Sequence, residues 1–242
     1  MLLSSLNKKY YCNENFFDQD NESCFYWAGF IAADGSVQER KYSKILKICL
    51  SNKDLDHLEK FKKSIDSTHP IKNYKIKSNK LIKSETLCCE IQITSKLLVN
   101  SLKRFNIIPN KTKIYEFPSE IINSQYIHHY MRGYFDGDGT ITNCGLSKNR
   151  EILQGSFSVL GNQSFIENYQ KILINKANLT ETKIYKHKSI YKLVYTGNNN
   201  IRKIYQYLYN DSNIFLDRKK NQFTFYTATE ALKLPKGALT IT

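Results

Sequence analysis

No two cysteines in this chain stand in a Cys-x-x-Cys arrangement: Cys12, Cys24, Cys49, Cys88, Cys89 and Cys144 are scattered, and the five histidines add no zinc-ligand spacing. A structural zinc site is therefore not expected, and the thiols read as reduced packing residues. The adjacent pair His128-His129 reads as a helix-surface or interface feature, with metal ligation as the alternative. No apolar stretch approaches the roughly 20 residues that cross a bilayer. The opening Met1-Leu2-Leu3-Ser4-Ser5-Leu6 is too short and too quickly charged for a secretory signal, so the protein is expected to stay inside the cell or organelle that makes it, with no membrane partner. Acidic residues are in deficit, 22 against 36 basic, for a net charge of +14. That excess suits a polyanion, nucleic acid first, although a merely soluble surface has the same count. What is plentiful is core material: 41% hydrophobic residues with 13 Phe and 17 Tyr, enough for one large domain or two small ones.

One pattern occurs twice. Trp27-Ala28-Gly29-Phe30-Ile31-Ala32-Ala33-Asp34-Gly35 is followed, 104 residues later, by Met131-Arg132-Gly133-Tyr134-Phe135-Asp136-Gly137-Asp138-Gly139. Each copy reads as an apolar, aromatic-rich helix ending in Asp-Gly, with the glycine expected in a left-handed terminating conformation and the aspartate in the last turn. A carboxylate there meets the negative end of the helix dipole, and a charge so placed invites a cation. Gly29 and Ala33, like Gly133 and Gly137, are four residues apart, so each helix has a stripe with almost no side chain and the two stripes can pack backbone to backbone. Two aspartates brought side by side repel, which raises one pKa or recruits a divalent ion, and oxygen-only ligands point to a hard one such as Mg2+. An EF-hand reading of Asp136 to Thr142 fails in register: with Gly139 as the sixth loop residue, Tyr134 and Gly145 would hold the first and twelfth positions.

These residues resemble the LAGLIDADG homing endonuclease family, over nearly the whole chain as two tandem repeats. The resemblance implies that the motif helices pair, that Asp34 and Asp138, with Gly35 and Gly139, hold metal, and that basic residues near each site steady the phosphate. The matching positions are Lys111 and Lys219, with Lys113 and Lys220 as near competitors. It further implies a staggered double-strand break, support by Mg2+ or Mn2+, binding of Ca2+ without cleavage, and homing of an intron or intein. The sequence departs from the family at Ala32, where the second copy keeps Asp136; that puts a local hydrogen bond in doubt and leaves the metal position intact.

The rest of each half follows one plan. Lys44 to Ser51 reads as a strand, Asp54 to Ile65 as a helix, and Ile71 to Lys77 with Thr86 to Thr94 as a hairpin turning at Ser78-Asn79-Lys80. In it Leu87, Cys89, Ile91 and Ile93 face the core. Ser95 caps a further helix that stops before Ile108-Pro109. The second half repeats the order: strand Ser156 to Leu160, a helix from Ser164, strands around Lys183 to Lys188 and Ile190 to Thr196, and a helix from Asn200 to Leu208. With the boundary at Pro118-Ser119, the expectation is α+β: two pseudo-symmetric repeats, 1–118 and 119–242, each a four-stranded antiparallel sheet with helices on one side.

Candidate base and phosphate contacts lie on the strand faces turned from the core: Ser36, Gln38, Arg40, Lys47, Lys75 and Gln92 in the first half, and Thr142, Lys148, Arg150, Lys183, Lys186 and Lys192 in the second. The expected partner is double-stranded DNA, and two motifs in one chain make a monomer sufficient. The rival is a binder on the same scaffold: an intron RNA maturase or a regulator that does not cut.

Overall fold

In the computed structural model, residues 9–76, 85–111, 114–146 and 153–227 are described. The chain divides into two compact units, 1–137 and 138–242. The first contains helix α1 (Glu22–Asp34), strands β1 (Gly35–Glu39) and β2 (Lys44–Ser51), helix α2 (Leu55–Ser64), strands β3 (Ile71–Ile76) and β4 (Thr86–Thr94), helix α3 (Lys96–Ser101) and all but the last residue of α4 (Ile127–Asp138). The second contains β5 (Thr140–Leu146), β6 (Leu153–Gly161), α5 (Gln163–Ala177), β7 (Tyr185–His187), β8 (Ile190–Thr196), α6 (Asn198–Tyr209) and α7 (Asp217–Thr227). Each unit has one four-stranded antiparallel sheet, ordered β1-β2-β4-β3 and β5-β6-β8-β7. The architecture is α+β, as expected. Among the described residues, no helix is long and apolar enough to cross a membrane.

Strand alternation and helix periodicity meet in one core per unit. In the first, Val37, Leu46, Ile48, Cys89, Ile91 and Ile93 point at Leu58 and Phe61 of α2 and Leu98 of α3, all buried. In the second, Ile141, Phe157, Val159, Leu193 and Tyr195 meet Phe165, Tyr169 and Leu173 of α5 and Ile201, Ile204 and Leu208 of α6. Asparagine or serine side chains start the helices: Asn21 accepts from Cys24 N at 2.9 Å, Ser95 from Leu98 N at 3.1 Å and Asn162 from Phe165 N at 3.2 Å.

Three expectations change. Leu87 shares the parity of Ile91 yet is 43% exposed, because it pairs with Lys75 toward the end of the β3–β4 ladder, away from the helices, whereas Cys88 on the opposite face is 6% exposed. Gly35 is extended (φ −86°, ψ 162°) and begins β1 directly. Gly139 leads straight into β5, and among the described residues the glycine with positive φ is Gly197. Close approach is what Gly35 provides: a Cβ there would lie 2.6 Å from Ile31 Cγ2. Helix α7 was not foreseen. The expected turn Ser78-Asn79-Lys80 lies outside the described residues.

Candidate functional site

Helices α1 and α4 touch backbone to backbone within the first unit. A Cβ on Gly29 would overlap Tyr130 O and lie 2.9 Å from Tyr134 N; one on Gly133 would overlap Tyr26 O and lie 2.8 Å from Phe30 N. One on Gly137 would meet Ala33 Cβ at 2.5 Å. The small-residue stripes of both copies are thus the contact itself.

Around that contact lies a polar network that the sequence only hinted at. Tyr26 donates to Asp136 Oδ2 at 2.7 Å, and His57 Nε2 lies 3.0 Å from the same hydroxyl. Asp136 is fully buried, so this bond offsets part of the cost of burying a carboxyl group. Tyr130, 104 residues after Tyr26, finds alanine at position 32 in place of a carboxylate. Its hydroxyl meets that of Tyr115, which donates to Phe105 O at 2.8 Å. The departure at Ala32 therefore reroutes a hydrogen bond. Buried Arg132 donates to Glu22 Oε1 and His129 Nδ1, both at 2.7 Å, so that His129 nitrogen is an acceptor.

The acidic ends emerge from this packing. Asp34 is the last residue of α1 and Asp138 the last of α4, and both are exposed. The Asp34 carboxylate lies against Gly137: a Cβ there would be 3.3 Å from Asp34 Oδ2. Lys111, 7% exposed, donates its Nζ to Gly35 O at 2.7 Å. Lys219, 6% exposed and in the first turn of α7, donates to Gly139 O. In each unit a buried ammonium thus holds the carbonyl that follows the motif aspartate, where the helix dipole favours a cation. Of the competitors, Lys220 turns to the Phe215 ring, 3.7 Å from its centroid, and Lys113 lies outside the described residues.

The sheet face turned away from the helices is read from register. In the first unit it presents Ser36 and Gln38 of β1, Lys47 and Cys49 of β2, Gln92, Glu90 and Cys88 of β4, and Lys72 and Tyr74 of β3. Lys75 has the parity of Ile71 and lies on the other face; Arg40 follows β1 in the turn closed by its N–H to Ser43 O at 2.8 Å. In the second unit the open face presents Thr140, Thr142, Ser156, Ser158, Lys192, Val194, Tyr185 and His187. Lys186 lies opposite Tyr191 on the helix side, and Lys183 precedes β7 with its Nζ 5.7 Å from the Tyr185 ring centroid. Lys148 and Arg150 lie outside the described residues.

Alternation already puts Glu90 on the polar side of β4; open-face residues missed at the sequence level include Lys72, Tyr74, Tyr185 and His187. Only strand pairing exposes them. Counting outward from Gly35 and Gly139 through the ladders, Lys47 corresponds to Ser158, Glu90 to Lys192, Gln92 to Val194 and Tyr74 to His187. The Tyr74 hydroxyl joins Cys49 Sγ at 3.0 Å and Glu90 Oε2 at 3.1 Å, and the Cys49 contact followed by burial holds its pKa above the usual phenol value.

Residues 22–103 match the LAGLIDADG-like domain family. No curated protein matches the chain by sequence. Among solved structures, the homing endonuclease I-WcaI bound to its DNA recognition sequence is 16% identical, with a TM-score of 0.62 over 87% of this chain and 91% of that one. The LAGLIDADG meganuclease I-AabMI bound to uncleaved DNA is 14% identical, with a TM-score of 0.55 over 86% and 90%. Meganuclease I-SmaMI bound to uncleaveable DNA is 15% identical, with a TM-score of 0.57 over 85% and 87%. Residues 22–103 thus form a LAGLIDADG-like domain, and the chain as a whole has the fold of the LAGLIDADG homing endonucleases.

Proposed function

We propose that the protein is a monomeric, site-specific DNA endonuclease that makes a staggered double-strand break at a long, loosely palindromic target by metal-dependent phosphodiester hydrolysis. The observation that carries the reading is the duplicated assembly: a helix-terminal aspartate, the glycine carbonyl after it and a buried lysine on that carbonyl, once in each unit. The basic excess and the solved DNA complexes of the same fold support it.

The donors fit a hard divalent ion. They are all oxygens, the carboxylates are exposed, and each carbonyl already faces a cation in the form of an ammonium. Asp34 and Asp138, with Gly35 O and Gly139 O, would hold Mg2+ or Mn2+, which lowers the pKa of a bound water and screens the leaving oxygen. Lys111 and Lys219 keep a fixed positive charge beside each acid, where negative charge grows on the phosphate. Because they are buried and already bonded, they need little reorganisation to act. Two such sites give each strand of a duplex its own cutting group.

The test is cleavage of duplex DNA spanning the uninterrupted form of the gene's own insertion locus, with Mg2+, by wild type, Asp34→Asn and Asp138→Asn. Wild type is expected to cut both strands, and either variant to lose the double-strand cut while its DNA affinity stays within a few fold. Full cutting by either variant refutes the site. Wild-type binding without cutting moves the reading to a regulator or an RNA maturase.

A further inference from the structure

The open face of the first sheet holds a carboxylate in the middle of a surface proposed to meet DNA, where a negative charge is costly. Glu90 is central on β4, and Lys47 of β2 reaches it, Nζ to Oε2 at 2.6 Å. From the β3 side Tyr74 donates to the same oxygen at 3.1 Å. With the tyrosine proton directed at Glu90, the Cys49 thiol 3.0 Å away is the donor to the Tyr74 oxygen. The carboxylate lies below and the ammonium above: their side chains are 13% and 35% exposed.

A lysine on an open surface is a flexible point charge that takes a phosphate as readily as a base. Lys47 differs because Glu90 fixes its direction and cancels much of its charge toward phosphates. An ammonium has three N–H donors. One is spent on Glu90 and two remain. Guanine is the base whose major-groove edge offers two neighbouring acceptors, N7 and O6. The corresponding positions in the second unit are Ser158 and Lys192, so the device is built once.

We infer that Lys47 reads a guanine in the major groove and that Glu90 is its positioning residue. This rests on the reading of the open sheet faces as the DNA-binding surface.

The probe is a randomised duplex DNA library from which bound molecules are selected and sequenced, without the metal that supports cutting. Wild type is expected to enrich a motif with guanine at one position that Lys47→Ala flattens by roughly five- to a hundredfold. Lys47→Arg, which also donates to N7 and O6, is expected to keep it. Glu90→Gln is expected to flatten the same position while binding mixed-sequence DNA more tightly, because a negative charge has left the surface. A purely structural role for Glu90 would not combine those two changes. Melting curves of each variant separate loss of selectivity from loss of fold, and Tyr74→Phe, which removes one surface hydroxyl, should weaken the preference in the same direction. Unchanged guanine selection in Lys47→Ala, or in Glu90→Gln, overturns the inference while leaving DNA binding intact. A wild-type protein that retains DNA without enriching any sequence also overturns the inference, and one that retains no DNA overturns the DNA-binding reading as well.

Discussion

Replacing Gly29 by alanine sets two effects of opposite sign against each other. In a free helix the change stabilises by about 1 kcal/mol, because alanine loses less backbone entropy. Here the new methyl would occupy the space of Tyr130 O and stand 2.9 Å from both Tyr130 C and Tyr134 N. These atoms belong to the α4 backbone and cannot swing aside like a side chain, so the helices must separate by an ångström or more. Overpacking a core costs about 1 to 3 kcal/mol where side chains can adjust, and a backbone neighbour puts this site at or above the upper end. The net expectation is a loss of roughly 2 kcal/mol or more. For a chain of this size that corresponds to a fall in Tm of about 4 to 8 °C. Gly133→Ala, which meets Tyr26 O in the same way, should fall by a similar amount. Thermal and urea melts measure both. If Gly29→Ala is as stable as wild type or more so, the two helices are not in backbone contact and the pairing of the motifs is misread.

Tyr26→Phe removes the hydroxyl bonded to buried Asp136 and should cost about 1.5 to 3 kcal/mol in urea unfolding, the range for a bond to an ionisable partner; a smaller loss would mean that Asp136 is held by other groups. Burial raises the Cys24 thiol from 9.0 to about 11 despite the nearby Arg104. The unfolded chain therefore releases this proton first, so stability should be level below about pH 9 and fall by about 2 kcal/mol as pH rises toward 11. Cys24→Ala should flatten that limb of the pH profile, and an identical slope in wild type and variant would assign it elsewhere. Lys111→Met keeps most of the side-chain volume but removes the ammonium on Gly35 O, and single-turnover cutting should slow by about a hundredfold or more with DNA affinity little changed; an unaltered rate would remove Lys111 from the chemistry.

Much of the framework was legible because it rests on local rules. Alternation in Thr86 to Thr94 and the 3.6 period from Phe165 to Leu173 mark the face each element buries, and the paired small residues marked the helix contact. The turn at the motif ends was misjudged because Asp-Gly satisfies two demands. A left-handed residue and a close approach both ask for glycine, and only the backbone shows that Gly35 is needed against Ile31. The Tyr26–Asp136 bond spans 110 residues and the Lys47–Glu90 pair joins two strands, so neither has a local signature. The same holds for Lys75 and Lys186, whose residue type suggested an open face and whose register put them on the other.

Comparing corresponding positions of the two units separates what the duplication keeps from what it changes. Asp34 and Asp138, Gly35 and Gly139, and Lys111 and Lys219 are the same residue types in the same local arrangement. Lys47 against Ser158, Glu90 against Lys192, Gln92 against Val194 and Tyr74 against His187 share nothing, and one pair reverses charge. The chemistry of a duplex divides in the same way. Its phosphates are alike on both strands, so groups that act on them gain nothing by differing, whereas base edges carry the sequence and reward a distinct reader at each position. The mismatch nearest the acids, Ala32 against Asp136, is no exception, because both side chains are buried and Asp136 accepts from the protein's own Tyr26. Equivalent positions of opposite charge present different groups to a base pair. The loose palindrome proposed for the target follows from that reversal, and the two like acids at the motif ends match the two-sided cut proposed above.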